Sequence, residues 1–437
     1  MPGMGTPELP VPDGLVLRPF RGVRFAVADP AAVTSPPYDL ISEGDVQALL
    51  DSHPNNVVRL ILPRPPADHS PAERYGAARD ALRAWLVEGV LVRDEVPALY
   101  VYEQSAPGML QRGLIGDVGL AAPEQRIVLP HENVMPGPVA DRLALMSTTR
   151  ANLEPILLLY NGDDPNARGR ASTLVDEVAT ARPPLVSTVT ADGVRHSLWA
   201  ITDPAEIGQI NADLRPRRAL IADGHHRYAT YRELQRQEHA RRTNPSNGSG
   251  PWDFGLALLV DSDAYPPDLK AIHRVIPGLP LEAAAERAKG SWQVADFTDL
   301  RAGLTALEHA TEPAFLLAGA GTCHLLTSPD PAQLAEAMPA ERSARWNALN
   351  TSILTEFVLP RVWDMQDDER DVRIVHHDAL AAADLAAATG GTAVILNALA
   401  VEEVLAVAAE GERVPRKSTS FGPKPRTGLV LRTFDID

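Results

Sequence analysis

The chain has 437 residues, 45% of them apolar and 22% charged, with a formal net charge of −16. That length can bury a large core and suggests about two or three domains, while the acidic balance opposes non-specific DNA binding, which depends on neutralising phosphates. A single cysteine, Cys323, excludes an intramolecular disulfide framework and any Cys-x-x-Cys pair for zinc or redox chemistry. No run of about 18 apolar residues occurs, so no transmembrane helix is expected, and a cytoplasmic location is the default expectation.

Residues Met1 to Pro12 are rich in Pro and Gly and lack an apolar signal core, so they read as a disordered lead-in. The expected organisation is a lead-in at 1–14, an N-terminal α/β region at 15–125, a core at 126–265 and a C-terminal α/β region at 266–437. Ser35-Pro-Pro-Tyr-Asp39 is stiffened by two prolines, which would present Tyr38 and Asp39 in fixed geometry or simply form a rigid turn. Ser42-Glu-Gly-Asp45 predicts a helix start, with the helix running to about Ser52. Val57 to Leu62 predicts a short apolar strand, and Pro63 to Ser70 a Pro-rich loop. Tyr75, Ala78, Leu82, Trp85 and Leu86 have helical spacing. Leu99 to Glu103 and Gly113 to Leu120 predict two strands of a hairpin.

The middle of the chain alternates strands and helices. Ile127 to Pro130 predicts a strand, followed directly by His131-Glu132; Val139 to Thr149 predicts a helix that carries Arg142. Pro155 to Tyr160 predicts a buried strand, Ala171 to Ala181 a helix, His196 to Ile201 a strand and Pro204 to Leu214 a helix. Then comes Leu220-Ile-Ala-Asp-Gly-His-His-Arg-Tyr228. A short apolar run breaks at Asp223-Gly224, and a helical pattern extends to about Arg242. The N–H groups and positive dipole end of a helix attract anions. His225, His226 and Arg227 stand in that first turn, where cations are ordinarily disfavoured; a phosphate or carboxylate among them would account for the cluster. A solvated basic turn is the plainer alternative. Asn244 to Gly250 reads as a polar loop, and Phe254 to Val260 as a strand.

Beyond Pro267, helices are predicted near Leu281 to Lys289, Pro331 to Met338, Ser352 to Val362 and Val401 to Ala409. Strands are predicted near Ala314 to Ala318, Cys323 to Leu326, Val372 to Val375 and Thr392 to Leu396. The polar trio His376-His377-Asp378 reads as structural. Val414-Pro-Arg-Lys-Ser-Thr419, continuing to Lys424, packs cations and hydroxyls into one loop suited to an anion, or a solvated basic tail. Only four lysines occur against thirty-seven arginines, so Lys417 and Lys424 stand out. A P-loop, a G-x-G-x-x-G after a strand, a G-x-S-x-G and an H-E-x-x-H are all absent from the sequence.

Pro36-Pro-Tyr-Asp-Leu-Ile41, His131-Glu-Asn133 with Asp141-Arg-Leu143, Ala151-Asn152 to Tyr160, Ile221 to Tyr228, and Pro415-Arg-Lys-Ser-Thr419 with Pro423-Lys424 and Thr427-Gly-Leu429 resemble the bacterial domain-of-unknown-function family 1015. The resemblance covers about residues 15 to 433. Within it, Arg126 to Val260 resembles the ParB/sulfiredoxin superfamily, which holds nucleotide phosphates on a Gly-x-His-Arg turn at a helix start, matched here by Gly224-His-His-Arg227. It is similar above all to the free-serine kinases in Pro130-His131-Glu132, Pro155-Ile156 and Asp223 to Arg227. His225 stands where sulfiredoxins carry a reactive Cys, so sulfinic-acid repair lacks its nucleophile.

The resemblance implies a mixed α/β fold with a ParB/sulfiredoxin-like core, and a nucleotide-dependent phosphotransferase acting on a small hydroxyl-bearing molecule such as serine, with Mg²⁺ and ATP or ADP. Glu132 would take the hydroxyl proton, with His226 and Asp223 as further catalytic groups. Gly224, His225, Arg227, Lys417, Ser418 and Lys424 would hold phosphate or nucleotide. His131, Arg142, Tyr38 and Asp39 would meet the substrate, and Asp223 would hold Mg²⁺. A phosphatase using the same site, a nucleotide-binding regulator and a DNA-partition factor of the ParB branch are the alternatives. The negative charge and the absence of a clear basic recognition helix argue against the last.

Overall fold

A computed structural model describes residues 9–434 except 65–72, 162–167, 242–247, 312, 320 and 369. Most of the predicted lead-in, most of the Pro-rich loop and much of the polar loop at 244–250 therefore lie outside the described residues. The chain divides into two compact units. One comprises Met1–Pro130, Val134–Pro267 and Pro423–Asp437; the other comprises His131–Asn133 and Asp268–Gly422. The stretches 15–125 and 126–265 thus share a unit almost entirely, and the end of the chain returns to it.

The first unit is built on a mixed sheet that has nine strands among the described residues. Its centre is the hairpin Leu99–Ala106 and Met109–Gly119, closed by Pro107-Gly108, with Gly108 at φ +78° supplying the tight turn. Phe254–Asp261 pairs antiparallel with the second hairpin strand and parallel with Ile156–Tyr160. That strand pairs antiparallel with Ala219–Asp223, which ends at the critical turn. Ile156–Tyr160 and Ala219–Asp223 are buried at every position, so a continuous apolar run, not alternation, was their signature. The helices Arg170–Ala181 and Pro204–Leu214 place Leu174, Val178, Ile210 and Leu214 in the same core as the sheet's Ile156, Leu158 and Ile221.

The predicted helix at Ser42 forms over Glu43–Ser52, and Ser42 and Asp45 make a reciprocal capping box. The predicted strand Val57 to Leu62 does not form. Val58–Ile61 is a short helix instead. Asn56 decides the outcome: its side-chain oxygen accepts from the Val58 N–H while its amide donates to the Ala32 and Thr34 carbonyls. A buried cap of this kind fixes a turn where β-branched composition favours a strand.

The second unit carries an antiparallel six-stranded sheet, in the order Gln293–Phe297, Cys323–Thr327, Phe315–Ala318, Thr392–Ile395, Ile272–Ile276, Arg373–His376. The helix predicted near Ser352 to Val362 is a helix over Asn350–Ile353 continued by a π-helical stretch, Leu354–Val362. Pro360 lies inside that stretch and cannot donate an N–H, which accounts for the widened winding.

Candidate functional site

The strand Ala219–Asp223 ends where the Gly224 φ is +95°, and the helix His225–Arg241 starts at once. A Cβ at position 224 would lie 2.7 Å from Ile156 Cγ2 and 3.2 Å from Arg227 Nε, so both conformation and space require glycine. The turn therefore has the predicted form, with His225, His226 and Arg227 in the first helical turn.

Those side chains do not share one environment. His225 is buried and His226 half-buried. His226 Nε2 accepts from the Met135 N–H at 3.1 Å, which puts any proton of the neutral ring on Nδ1. Arg227 is buried, with Nη1 on the Pro155 carbonyl at 2.7 Å and Nη2 on Asp223 Oδ2 at 2.5 Å. Its guanidinium is directed into the protein and stitches the turn to the start of the neighbouring strand.

Asp223 is held from a second side. Lys424 Nζ lies 2.6 Å from Asp223 Oδ1 and 2.5 Å from Asp39 Oδ2. Burial pushes the Asp223 carboxyl up, but Arg227 and then Lys424 outweigh it and hold it below the usual carboxylate range. Burial likewise opposes the charged Lys424, and Asp223 and Asp39 reverse that and raise it. Both oxygens of Asp223 are thus engaged by cations. Among the described residues, no group of three or more His, Cys, Asp or Glu is placed to hold a metal ion. Each Asp223 oxygen takes one cationic donor, Oδ1 from Lys424 and Oδ2 from Arg227, and keeps a further lone pair, so the expected role of Asp223 toward Mg²⁺ is carried forward as a proposal.

The rigid Pro36-Pro37 segment brings Tyr38 into the same neighbourhood. Its ring faces the guanidinium carbon of Arg142 at 4.5 Å and that of Arg227 at 5.8 Å. Arg142 is fixed by Asp141 Oδ2 at 2.5 Å and the Ile61 carbonyl at 2.7 Å. Asp141 also accepts from Arg74 and the Tyr75 hydroxyl. The first unit therefore brings together Tyr38, Asp39, Arg142, Asp223, Gly224, His226, Arg227 and Lys424 from four separated stretches.

One member of this cluster was not anticipated. Glu154 is buried and accepts from the Tyr38 N–H at 3.0 Å and the Thr427 hydroxyl at 3.3 Å. Burial pushes its carboxyl up, and the opposing pull of Arg227 and Arg142 does not cancel that. Glu154, Arg142, Arg227 and Tyr231 line a cavity of about 30 Å³, the scale of one or two waters. The available signal was a lone carboxylate just before Pro155 at the head of an apolar strand.

His131, Glu132, Lys417 and Ser418 belong to the second unit. There the Thr419 hydroxyl donates to Glu132 Oε1 at 3.0 Å and lies 2.8 Å from His131 Nε2. With its one proton directed at Glu132, Thr419 can only accept from the imidazole. Phe421 meets the His131 ring edge-on. Lys417 is exposed with φ +52°, and the Ser418 hydroxyl is taken by the Pro415 carbonyl at 2.7 Å.

A mixed α/β protein with a glycine-dependent strand–turn–helix motif at a buried charged cluster is the class these observations define. The profile of the family described as "Protein of unknown function (DUF1015)" matches residues 17–352, and the chain belongs to that family. Among solved structures, it is similar to a free serine kinase in complex with AMP at 15% identity, covering 72% of this chain and 92% of that one with a TM-score of 0.33. A conserved hypothetical protein from Pyrococcus furiosus gives 15% identity, 71% and 90% coverage and a TM-score of 0.33. A C-terminally truncated SbnI from Staphylococcus aureus gives 12%, 73% and 87%, and 0.35. Similarity at this level fixes neither activity nor site. No curated protein matches the sequence. Among the described residues, no helix is long and apolar enough to cross a membrane.

Proposed function

We propose that this protein is a nucleotide-dependent phosphotransferase acting on a small hydroxyl-bearing metabolite such as serine. The observation that supports the reading is the turn itself. A strand ends at Asp223, Gly224 takes a positive φ, and a 17-residue helix opens on two histidines. Helix-start amides and imidazole donors suit a phosphoryl group whose charge must be spread among fixed donors. The nucleotide would supply the phosphoryl group. His225, His226 and the amides after Gly224 would receive it, with Arg227, Asp223 and Lys424 as the charged frame that keeps the turn in shape. Tyr38, Asp39 and Arg142 would meet the substrate. Glu132 keeps its proposed role as proton acceptor, and His131, Lys417 and Ser418 keep theirs at substrate and phosphate; mutation tests each of them. Mg²⁺ would arrive on nucleotide phosphates, which it favours as a hard cation, and Asp223 would meet it directly or through water.

A thermal-shift screen of the full chain with ADP, ATP, CTP and pyrophosphate, each with Mg²⁺ and with or without serine or phosphoserine, tests the reading. A shift with an adenine nucleotide that grows with serine, together with ADP release from ATP and serine, is the expected result. No nucleotide shift under any condition would sink it. One observation favours a second reading, a nucleotide-binding regulator: both oxygens of Asp223 are engaged by cations within the fold, as suits a binding frame without turnover. A nucleotide shift with no product from any hydroxyl substrate would select that alternative.

A further inference from the structure

A cavity in the first unit shares no residue with the Asp223–Arg227 turn. It has a volume of about 340 Å³, and its wall includes Arg18, Arg21, Arg93 and Arg432 together with Gly250 and Thr433. That volume lies at the small end of ligand sites, roughly 300–1,000 Å³. Its lining residues include no Asp or Glu, in a chain with a net charge of −16. The four arginines come from three separated stretches of sequence, so no local pattern of one helix or strand accounts for their meeting.

We propose that this cleft binds a small phosphate-bearing anion. Its guanidiniums are held in place by contacts within the fold. Arg432 is buried, with Nη1 on Asn152 Oδ1 at 2.8 Å, Nη2 on the Pro251 carbonyl at 2.6 Å and Nε 2.6 Å from Asp117 Oδ1. Arg18 reaches Asp117 Oδ2 at 3.2 Å and lies over the Phe254 ring at 3.8 Å. Arg21 Nε donates to the Asp94 carbonyl and Arg93 Nη2 to the Thr433 hydroxyl. A guanidinium carries its charge on a rigid planar fork, so these contacts fix the positions of four positive charges around the cleft. Prolines 19, 97 and 251 stiffen the wall, which lowers the ordering cost of binding. Several forks converging on a compact volume match a tetrahedral phosphate better than a planar carboxylate, which one fork satisfies.

Calorimetric titration of pyrophosphate into the full chain tests this, using wild type, the double variant R21Q/R93Q and H226A at the turn. Wild type and H226A should share a binding event that weakens roughly tenfold or more in R21Q/R93Q, the worth of a charge-assisted bond. Circular dichroism identifies a double variant that fails to fold, and R18Q, at the exposed Arg18, then replaces it with the same expectation. Three results overturn the proposal: no binding of pyrophosphate or inorganic phosphate to wild type, binding that H226A abolishes and the cleft variants keep, or retention of an oligonucleotide through these arginines without any small-anion binding. Because H226A reports on the turn and R21Q/R93Q on the cleft, failure here is distinguishable from failure of the phosphotransferase reading.

Discussion

Lys424 Nζ sits 2.6 Å from Asp223 Oδ1, joining the end of the chain to the turn at its middle. The lysine bridges two carboxylates, Asp223 and Asp39, with a side chain 15% exposed. Lys424→Ala strips a nearly buried carboxylate of one of its two cations, and the stability measured by urea unfolding should fall by about 1–3 kcal/mol. Lys417→Ala, at an exposed position, should stay within about 0.5 kcal/mol of wild type. Equal effects in the two variants would show that the Lys424 contacts contribute nothing.

Arg227→Lys keeps the charge and loses the fork. The guanidinium reaches the Pro155 carbonyl and Asp223 from two separate nitrogens, a span that an ammonium, with its donors on one atom, does not reproduce. The variant should lose about 2–4 kcal/mol of stability, a cost typical of breaking a buried charged network, and with it the affinity for nucleotide. A variant that unfolds like wild type would show that this contact pair is not part of what holds the turn.

Gly224→Ala places a methyl group against Ile156 at a φ of +95°. More than about 1 kcal/mol should be lost from backbone strain alone. Chemical denaturation of this variant checks the conformation of the turn independently of any ligand.

Replacing Glu132 by Gln should leave nucleotide affinity within a few-fold of wild type and lower phosphoryl transfer by about 10²–10⁴, the usual worth of a general base. Steady-state rates with saturating nucleotide decide it. Full activity in this variant would remove Glu132 from the chemistry.

Glu154 and Asp223 should leave opposite marks on stability as pH changes. The Glu154 carboxyl is raised in the fold, so its contribution is present below its unfolded pKa and is lost as pH rises through the folded value. Asp223 is lowered, so its contribution is present above its unfolded pKa and is lost as pH falls through the folded one. Glu154→Gln keeps an acceptor for the Tyr38 N–H without the charge. Relative to wild type it should therefore gain stability on going from acidic to neutral pH. Parallel stability–pH curves for the two proteins would refute the assignment.

The turn was legible in the sequence because every part of it is local: an apolar run, a glycine, then donors at a helix start. The stiff Pro36-Pro37 segment likewise advertised Tyr38 and Asp39. Glu154 was not legible, because its partners Tyr38, Thr427, Arg142 and Arg227 are distant in sequence and no spacing rule connects them. Nor was the inward direction of Arg227, which depends on where the Pro155 carbonyl comes to rest. The misread Val57 to Leu62 segment shows the same limit from the other side, since Asn56 reaches back to the Ala32 and Thr34 carbonyls and so overrides local propensity.

Residues after Gly422 tie early and middle stretches of the first unit together. Thr427 exchanges backbone hydrogen bonds with Ser35, Leu431 with Val23, and Arg432 and Thr433 pair with Asn152 and Ala151. A ribosome that has delivered everything up to Gly422 has made all the residues of the second unit and the nine described strands of the first unit's main sheet, but not Lys424 or the short strand Arg432–Thr433. Asp223 therefore meets its Lys424 partner only long after its own strand, turn and helix have been translated.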